Sequence, residues 1–186
     1  MWLTLRPMTL GQSCVVHDNK TTNFRAMPYP EIPAFIKRLR IRQRKKGVVS
    51  PLAVELLILT AARASEIAGM RWEEINWEQR TWTVVGYRTK TGRNHRVPLS
   101  DRALELLKQQ CRQPGPGFVW TTYNGAMTPK SMYLFVRRYM REDCTVHGFR
   151  SSFRNWAAEQ TDFDFNLCEL CLAHSIRQHS SRLSSQ

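Results

Sequence analysis

His147-Gly148-Phe149-Arg150-Ser151-Ser152-Phe153-Arg154-Asn155-Trp156-Ala157-Ala158 joins an apolar helical pattern to a histidine and two arginines. Phe149, Phe153, Trp156 and Ala157 recur at spacings of three and four, which is one face of a helix, so they read as a buried stripe. Arg150 and Arg154 lie one turn apart on a different face, and His147 precedes the helix. A helix start presents unpaired amides and the positive end of the macrodipole, so a histidine and an arginine converging there suit a phosphate. The same residues suit a solvated basic face with His147 in a cap-like place. The stretch alone leaves both readings open.

Outward from this helix the chain alternates helical and strand signals. Leu167, Leu170 and Cys171 predict one further helix ending near His174, with the Leu167 and Cys171 side in the core. The polar run at 177–186 predicts a frayed tail. Upstream, Thr128-Pro129 is a cap followed by proline and opens a helix to about Arg141. Ser100 caps a helix carrying Ala103, Leu104 and Leu107, and the P-G-P-G run at 114–117 breaks it. Between Arg80 and Leu99, T-W-T-V-V, Y-R-T-K, a T-G-R-N turn and H-R-V-P-L predict a small antiparallel sheet with Lys90 beside a hairpin tip. Ser50-Pro51 starts a helix whose Leu52–Ala62 run is apolar nearly all round and hence central in the core. A short helix at Ser65–Met70 follows, with Arg63 at the junction. Ile32, Phe35, Ile36 and Leu39 mark an amphipathic helix closed by basic residues before Gly47. Residues 1–23 show neither period and read as an arm or linker.

The 186 residues suffice for one ordinary core. Lysine and arginine number 28 against 15 aspartate and glutamate, a formal net charge of +13, which points to a polyanionic partner. The run Leu52–Ala62 is too short to span a bilayer and is interrupted by Glu55, and the N-terminus lacks a signal-peptide pattern, so no membrane role is expected. The five cysteines are scattered and odd in number, which favours reduced thiols and a cytoplasmic setting. Cys168, Cys171, His174 and His179 have spacing that could suit zinc, but the first two fit a core stripe and His179 lies in the polar tail, so no metal is expected. Trp72, Trp77 and Trp82 read as packing residues.

Four motifs occur in order: T-A-A-R-A-S-E-I-A-G-M-R-W (60–72), the Lys90 hairpin leading into H-R-V-P-L-S (95–100), T-V-H-G-F-R (145–150) and L-A-H (172–174). Together they resemble the catalytic domain of tyrosine recombinases, specifically phage-type integrases, over residues 24–176. The resemblance implies an α+β, mostly α fold, with a helical core and a small antiparallel sheet. It implies DNA integration and recombination by phosphoryl transfer to a tyrosine, with no metal and no cofactor. The implied partners are double-stranded DNA and other integrase protomers, in a bacterial, nucleoid-associated setting. By position, Arg63 and Arg150 resemble the two arginines that grip the scissile phosphate, a task that suits always-charged guanidinium forks. Lys90 resembles the hairpin lysine that protonates the leaving 5′-oxygen, and a mobile tip would suit that reach. His147 and His174 resemble the two histidines that assist proton transfer and phosphate binding. Arg63, Lys90, Arg150 and Arg154 are the expected phosphate contacts.

Other readings of these residues stay open. Arg63 could cap the preceding helix and pair with Glu66, a residue that itself reads as positioning an arginine. Lys90, among Arg88, Arg93 and Arg96, could be one phosphate contact of several. His174 could be a satisfied core histidine.

The family's nucleophile has no counterpart. Tyr29, Tyr87, Tyr123, Tyr133 and Tyr139 all precede His147, and Leu183, Ser184 and Ser185 stand where the resemblance calls for the tyrosine. A serine hydroxyl is a far weaker acid than a phenol. The expectation is therefore a frameshifted or truncated gene product, catalytically defective yet still able to bind phosphate. The alternatives are a non-catalytic DNA-binding remnant and a basic RNA- or DNA-binding structural protein.

Overall fold

The computed structural model describes residues 25–44, 48–110, 117–123 and 125–174. The expected N-terminal arm, the Gly47 cap, most of the P-G-P-G breaker, His179 and the polar tail lie outside these residues.

The core is built around α2 (Ser50–Thr60), in which every residue from Pro51 to Ile58 is buried. Such a surface, apolar but for Glu55, is stable only when surrounded. It is packed by α1 (Ile32–Gln43), α3 (Ala64–Ala68), α4 (Asp101–Gln110) and α5 (Pro129–Leu134). The stripe of α1 buries Ile32, Phe35, Ile36 and Leu39, as its period predicts. Ser100 caps α4 by accepting the Ala103 amide at 3.3 Å. Beyond Leu134 the expected regular helix widens into a π-helical turn at Phe135–Tyr139, and Arg141 leaves the helical path at φ 58°.

Beside this layer lies an antiparallel sheet of β1 (Ile75–Asn76), β2 (Thr81–Val84) and β3 (His95–Pro98), in that order. Trp82 pairs with Val97 and Val84 with His95, so all four share the inward face. The expected strand at Y-R-T-K is instead a 3₁₀ turn at Gly86–Arg88 followed by a loop. Gly86 approaches Gly92 so closely that a Cβ would sit 2.4 Å from the Gly92 carbonyl oxygen, a contact that closes the loop and takes 86–90 out of the ladder. A two-stranded ribbon, β4 (Thr121–Thr122) and β5 (Gly125–Ala126), precedes α5.

The opening stretch forms α6 (Gly148–Gln160), burying Phe149, Trp156 and Ala157, while Phe153 is half-buried against Trp156. Gly148 is required because a Cβ there would lie 2.4 Å from the carbonyl of Arg25, where residues 25–27 cross the helix start. Ser152 clamps that crossing by donating to the Met27 carbonyl at 2.5 Å. The last helix, α7 (Phe165–Cys171), departs from the expected core stripe: Phe165, Leu167, Leu170 and Cys171 are exposed, and Leu172, just past its end, is the buried residue. The helix is held by its ends and polar side chains instead, with Asp164 accepting the amides of Asn166 and Leu167. The fold is thus α+β, mostly α, with a helical core and a small antiparallel sheet. Among the described residues no helix is long and apolar enough to cross a membrane.

Candidate active site

The site forms where three helix ends meet: the end of α2, the start of α6 and the end of α7. Ala61 terminates α2 in the left-handed region at φ 49°. Its carbonyl, one of the acceptors a helix end leaves unpaired, takes a hydrogen bond from Arg150 Nη1. Arg63 then leaves α2 extended and becomes the N-cap of α3. Glu66 accepts both the Arg63 amide and its Nη1, each at 2.8 Å, so one buried carboxylate fixes backbone and guanidinium together. Glu66 is the positioning residue its sequence place suggested.

On α6, Arg150 was expected on a non-core face yet is only 4% exposed. Carbonyls remote in sequence bury it. Besides Ala61, its Nη2 donates to the Leu172 carbonyl at 2.6 Å and lies 3.2 Å from His174 Nε2. A guanidinium has no acceptor, so that last contact makes Nε2 the acceptor and puts the ring proton on Nδ1. Nδ1 is 2.6 Å from Glu169 Oε2, which takes the proton's hydrogen bond. Arg154 Nε stands 2.9 Å from the other Glu169 oxygen as an ion pair, off the line of a hydrogen bond, with its guanidinium over the Phe165 ring. Arg63 Nη2 reaches the Ala173 carbonyl at 3.4 Å. Both arginines therefore fasten residues 172–174 to the core.

Burial pulls the Arg150 guanidinium down to about 10, helped by Arg63 and opposed by Glu66 and Glu169, and it stays charged at neutral pH. His147, exposed at the start of α6, is held below the ordinary histidine range by partial burial, then by Arg150, Arg63 and His174. The structure thus brings Arg63, His147, Arg150 and His174 into one group, with Arg154 behind Glu169. Lys90 is exposed on the loop between β2 and β3. Among the described residues no group of three His, Cys, Asp or Glu side chains is placed to hold a metal.

A model of the phage integrase family matches residues 25–186. The chain belongs to the phage integrase family. It is 36% identical over 155 residues to the prophage integrase IntZ of Escherichia coli K12, covering 80% of this chain and 37% of that protein. It is 30% identical over 159 residues to the integrase of Shigella phage Sf6, covering 82% and 40%. This member of the family therefore spans about two fifths of the length of those relatives. Among solved structures, the Tn1549 transposon integrase in complex with transposon right end DNA superposes with a TM-score of 0.65 at 18% identity, covering 87% of this chain and 61% of that one. A lambda integrase dimer bound to a COC′ core site gives 0.62 at 18% identity, covering 85% and 58%. These two likenesses support the fold.

Two residues of this integrase domain escaped the sequence reading. His95 is half-buried on the inward face of β3; burial lowers its pKa, Glu66 opposes that, and Arg63 and Arg150 lower it further. The alternation of H-R-V-P carried the signal, since an inward Val97 requires an inward His95. Glu169 fixes His174 and Arg154 together, and its spacing of five from His174 across a helix end gave no periodic cue.

Proposed function

We propose that this chain is the phosphate-gripping part of an integrase catalytic domain and that its substrate is duplex DNA, acted on in site-specific integration and recombination. One observation carries the reading. Arg150 is a nearly buried cation whose described acceptors are two neutral carbonyls and an imidazole, so no carboxylate hydrogen-bonds it, and Arg63 stands beside it. A phosphate's non-bridging oxygens carry the charge that such an arrangement lacks.

In this reading Arg63 and Arg150 hold the non-bridging oxygens and stabilise the charge that grows there during transfer. His147, its pKa lowered by partial burial and then by its cationic neighbours, accepts or passes a proton, and His174 is aimed by Glu169. A tyrosine oxygen bonds to phosphorus, the bond from phosphorus to the 5′-oxygen breaks, and Lys90 gives the departing oxygen its proton. Arg154 adds a phosphate contact through the part of its side chain that stays exposed. The work belongs in the cytoplasm, on the nucleoid. All five tyrosines precede His147. We propose that the nucleophile of this step comes from outside residues 25–174.

The test uses the 186-residue protein, a fluorescent 30-base-pair duplex and a nicked duplex that traps covalent intermediates. Arg150→Ala should weaken duplex binding tenfold or more beyond the exposed Arg44→Ala, with helix content unchanged by circular dichroism. Equal losses would favour a basic structural protein. An SDS-resistant adduct on the nicked duplex, mapped to residues 25–174, would overturn the outside source of the nucleophile.

A further inference from the structure

The basic residues around Lys90 look alike in sequence, but Arg88 differs from its neighbours. Arg93 and Arg96 are exposed, whereas the Arg88 side chain is only 14% exposed. Its Nη1 donates to Glu74 Oε1, and its Nη2 donates to the backbone carbonyl of Glu66 at 2.8 Å. Glu74 is in turn fixed by Trp82 Nε1 at 3.0 Å and by the Arg71 amide at 3.1 Å. Trp82 is fully buried in β2. One guanidinium therefore ties three parts together: the loop between β2 and β3, the core of the sheet, and α3, whose Glu66 holds Arg63.

The chain leaves room for this tie. A Cβ on Gly69 would come within 3.0 Å of Arg88 Nη2 and 3.3 Å of its Cζ. Gly69 lies at φ −91°, a conformation any residue adopts, so close approach and not backbone freedom suits a glycine there: a Cβ would crowd Arg88 and, at 3.3 Å, the Ser65 carbonyl. The loop above is compact. Thr89 Oγ1 lies 3.0 and 2.9 Å from the carbonyls of Gly86 and Arg93, which share its one proton, and the Gly86 amide donates to Asn94 Oδ1 at 2.8 Å. Lys90 follows Thr89 directly and is exposed. These bonds close the loop on itself, and Arg88 ties it to Glu74 and to the Glu66 carbonyl.

We propose that Arg88 is a positioning residue and not a DNA contact: a buried strut that fixes the Lys90 loop relative to Arg63, so that the lysine and the arginine address the same phosphate. Lys is no substitute, because one ammonium does not span the Glu74 carboxylate and the Glu66 carbonyl as a planar fork does. The proposal rests on the reading of Lys90 as a group that reaches DNA.

Two measurements separate the strut from that reading. The first is hydrogen exchange of the amides at 86–94 in the wild type, Arg88→Gln and Gly69→Ala; the latter displaces the guanidinium while keeping every charge. Exchange should quicken at least fivefold in both variants. Unchanged exchange would overturn the strut whatever DNA does. The second is a double-mutant cycle on duplex affinity. Lys90→Gln should weaken binding three- to tenfold in the wild type but less than twofold in the Arg88→Gln and Gly69→Ala backgrounds, because a displaced loop has already lost the contact. Losses that multiply would make Arg88 an independent phosphate contact and overturn the proposal. If Lys90→Gln has no effect in the wild type, the reading of Lys90 fails and the exchange result alone decides the strut. If Arg88→Gln does not fold, Gly69→Ala carries both arms.

Discussion

Two arginine clusters in this molecule are built in opposite ways. At Glu55 a fully buried carboxylate sits at the centre, and Arg40, Arg102 and Gln43 supply hydrogen bonds to it. Burial pushes that carboxyl up, but the hydrogen bonds from Arg102, Arg40 and Gln43 win and hold it below the usual range. Arg102 is raised in turn, chiefly by its bond to Glu55. At the other cluster the arginine is at the centre, and neutral carbonyls surround it. Burial lowers Arg150, because hydrogen bonds to carbonyls satisfy its donors without cancelling its charge. The two arginines thus shift in opposite directions, Arg102 because a carboxylate pairs with it and Arg150 because it is buried among carbonyls.

The largest effect should come from emptying the second cluster. Arg150→Ala strands the carbonyls of Ala61 and Leu172 and should cost about 2–4 kcal/mol of stability in urea unfolding, with loss of DNA binding at concentrations where the protein is still folded. Glu55→Gln should break the first cluster. It should cost about 2 kcal/mol, less than a fully buried pair because Arg40 still reaches water, and should leave DNA affinity within about twofold.

The pH dependence sharpens the contrast. His95 and His147 both have lowered pKa values, so the unfolded chain takes up protons near pH 6.5 before the folded one does. The unfolded state binds more protons in that window, and stability should rise as pH rises through it. Tm measured from pH 5 to 7.5 should climb, and climb less in a His95→Gln, His147→Gln double variant. A bound phosphate reverses the repulsion on His147, so DNA binding should take up protons and tighten as pH falls below 7, provided folding is monitored. The smallest effect is expected from Arg154→Ala, whose half-exposed ion pair with Glu169 should contribute under about 1 kcal/mol.

Periodicity made the helices legible. Ile32, Phe35, Ile36 and Leu39 are buried as one stripe, and α2, apolar but for Glu55, lies at the centre. The order of motifs points to Arg63, His147, Arg150 and His174 with no contact among them needed. What stayed hidden depends on partners far along the chain. The Y-R-T-K segment has strand-forming residues, but the close approach of Gly86 to Gly92 closes a loop there. Leu167 and Leu170 show a face, and a period does not say what covers it. Arg150 is polar in sequence and buried in structure because carbonyls 89 and 22 residues away come to it. Arg88 reads as one more surface cation until Glu74 is seen beneath it.

The central claim is that one cluster keeps its charge for a phosphate and the other spends it on Glu55. The most direct test compares Arg63→Gln with Arg102→Gln, each removing one positive charge, by the salt dependence of duplex binding between 50 and 300 mM KCl. A phosphate contact contributes about 0.9 to the slope of log K against log salt. Arg63→Gln should lower the slope by about that amount, and Arg102→Gln should leave it unchanged. Equal changes in both, or a change only in Arg102→Gln, would contradict the account.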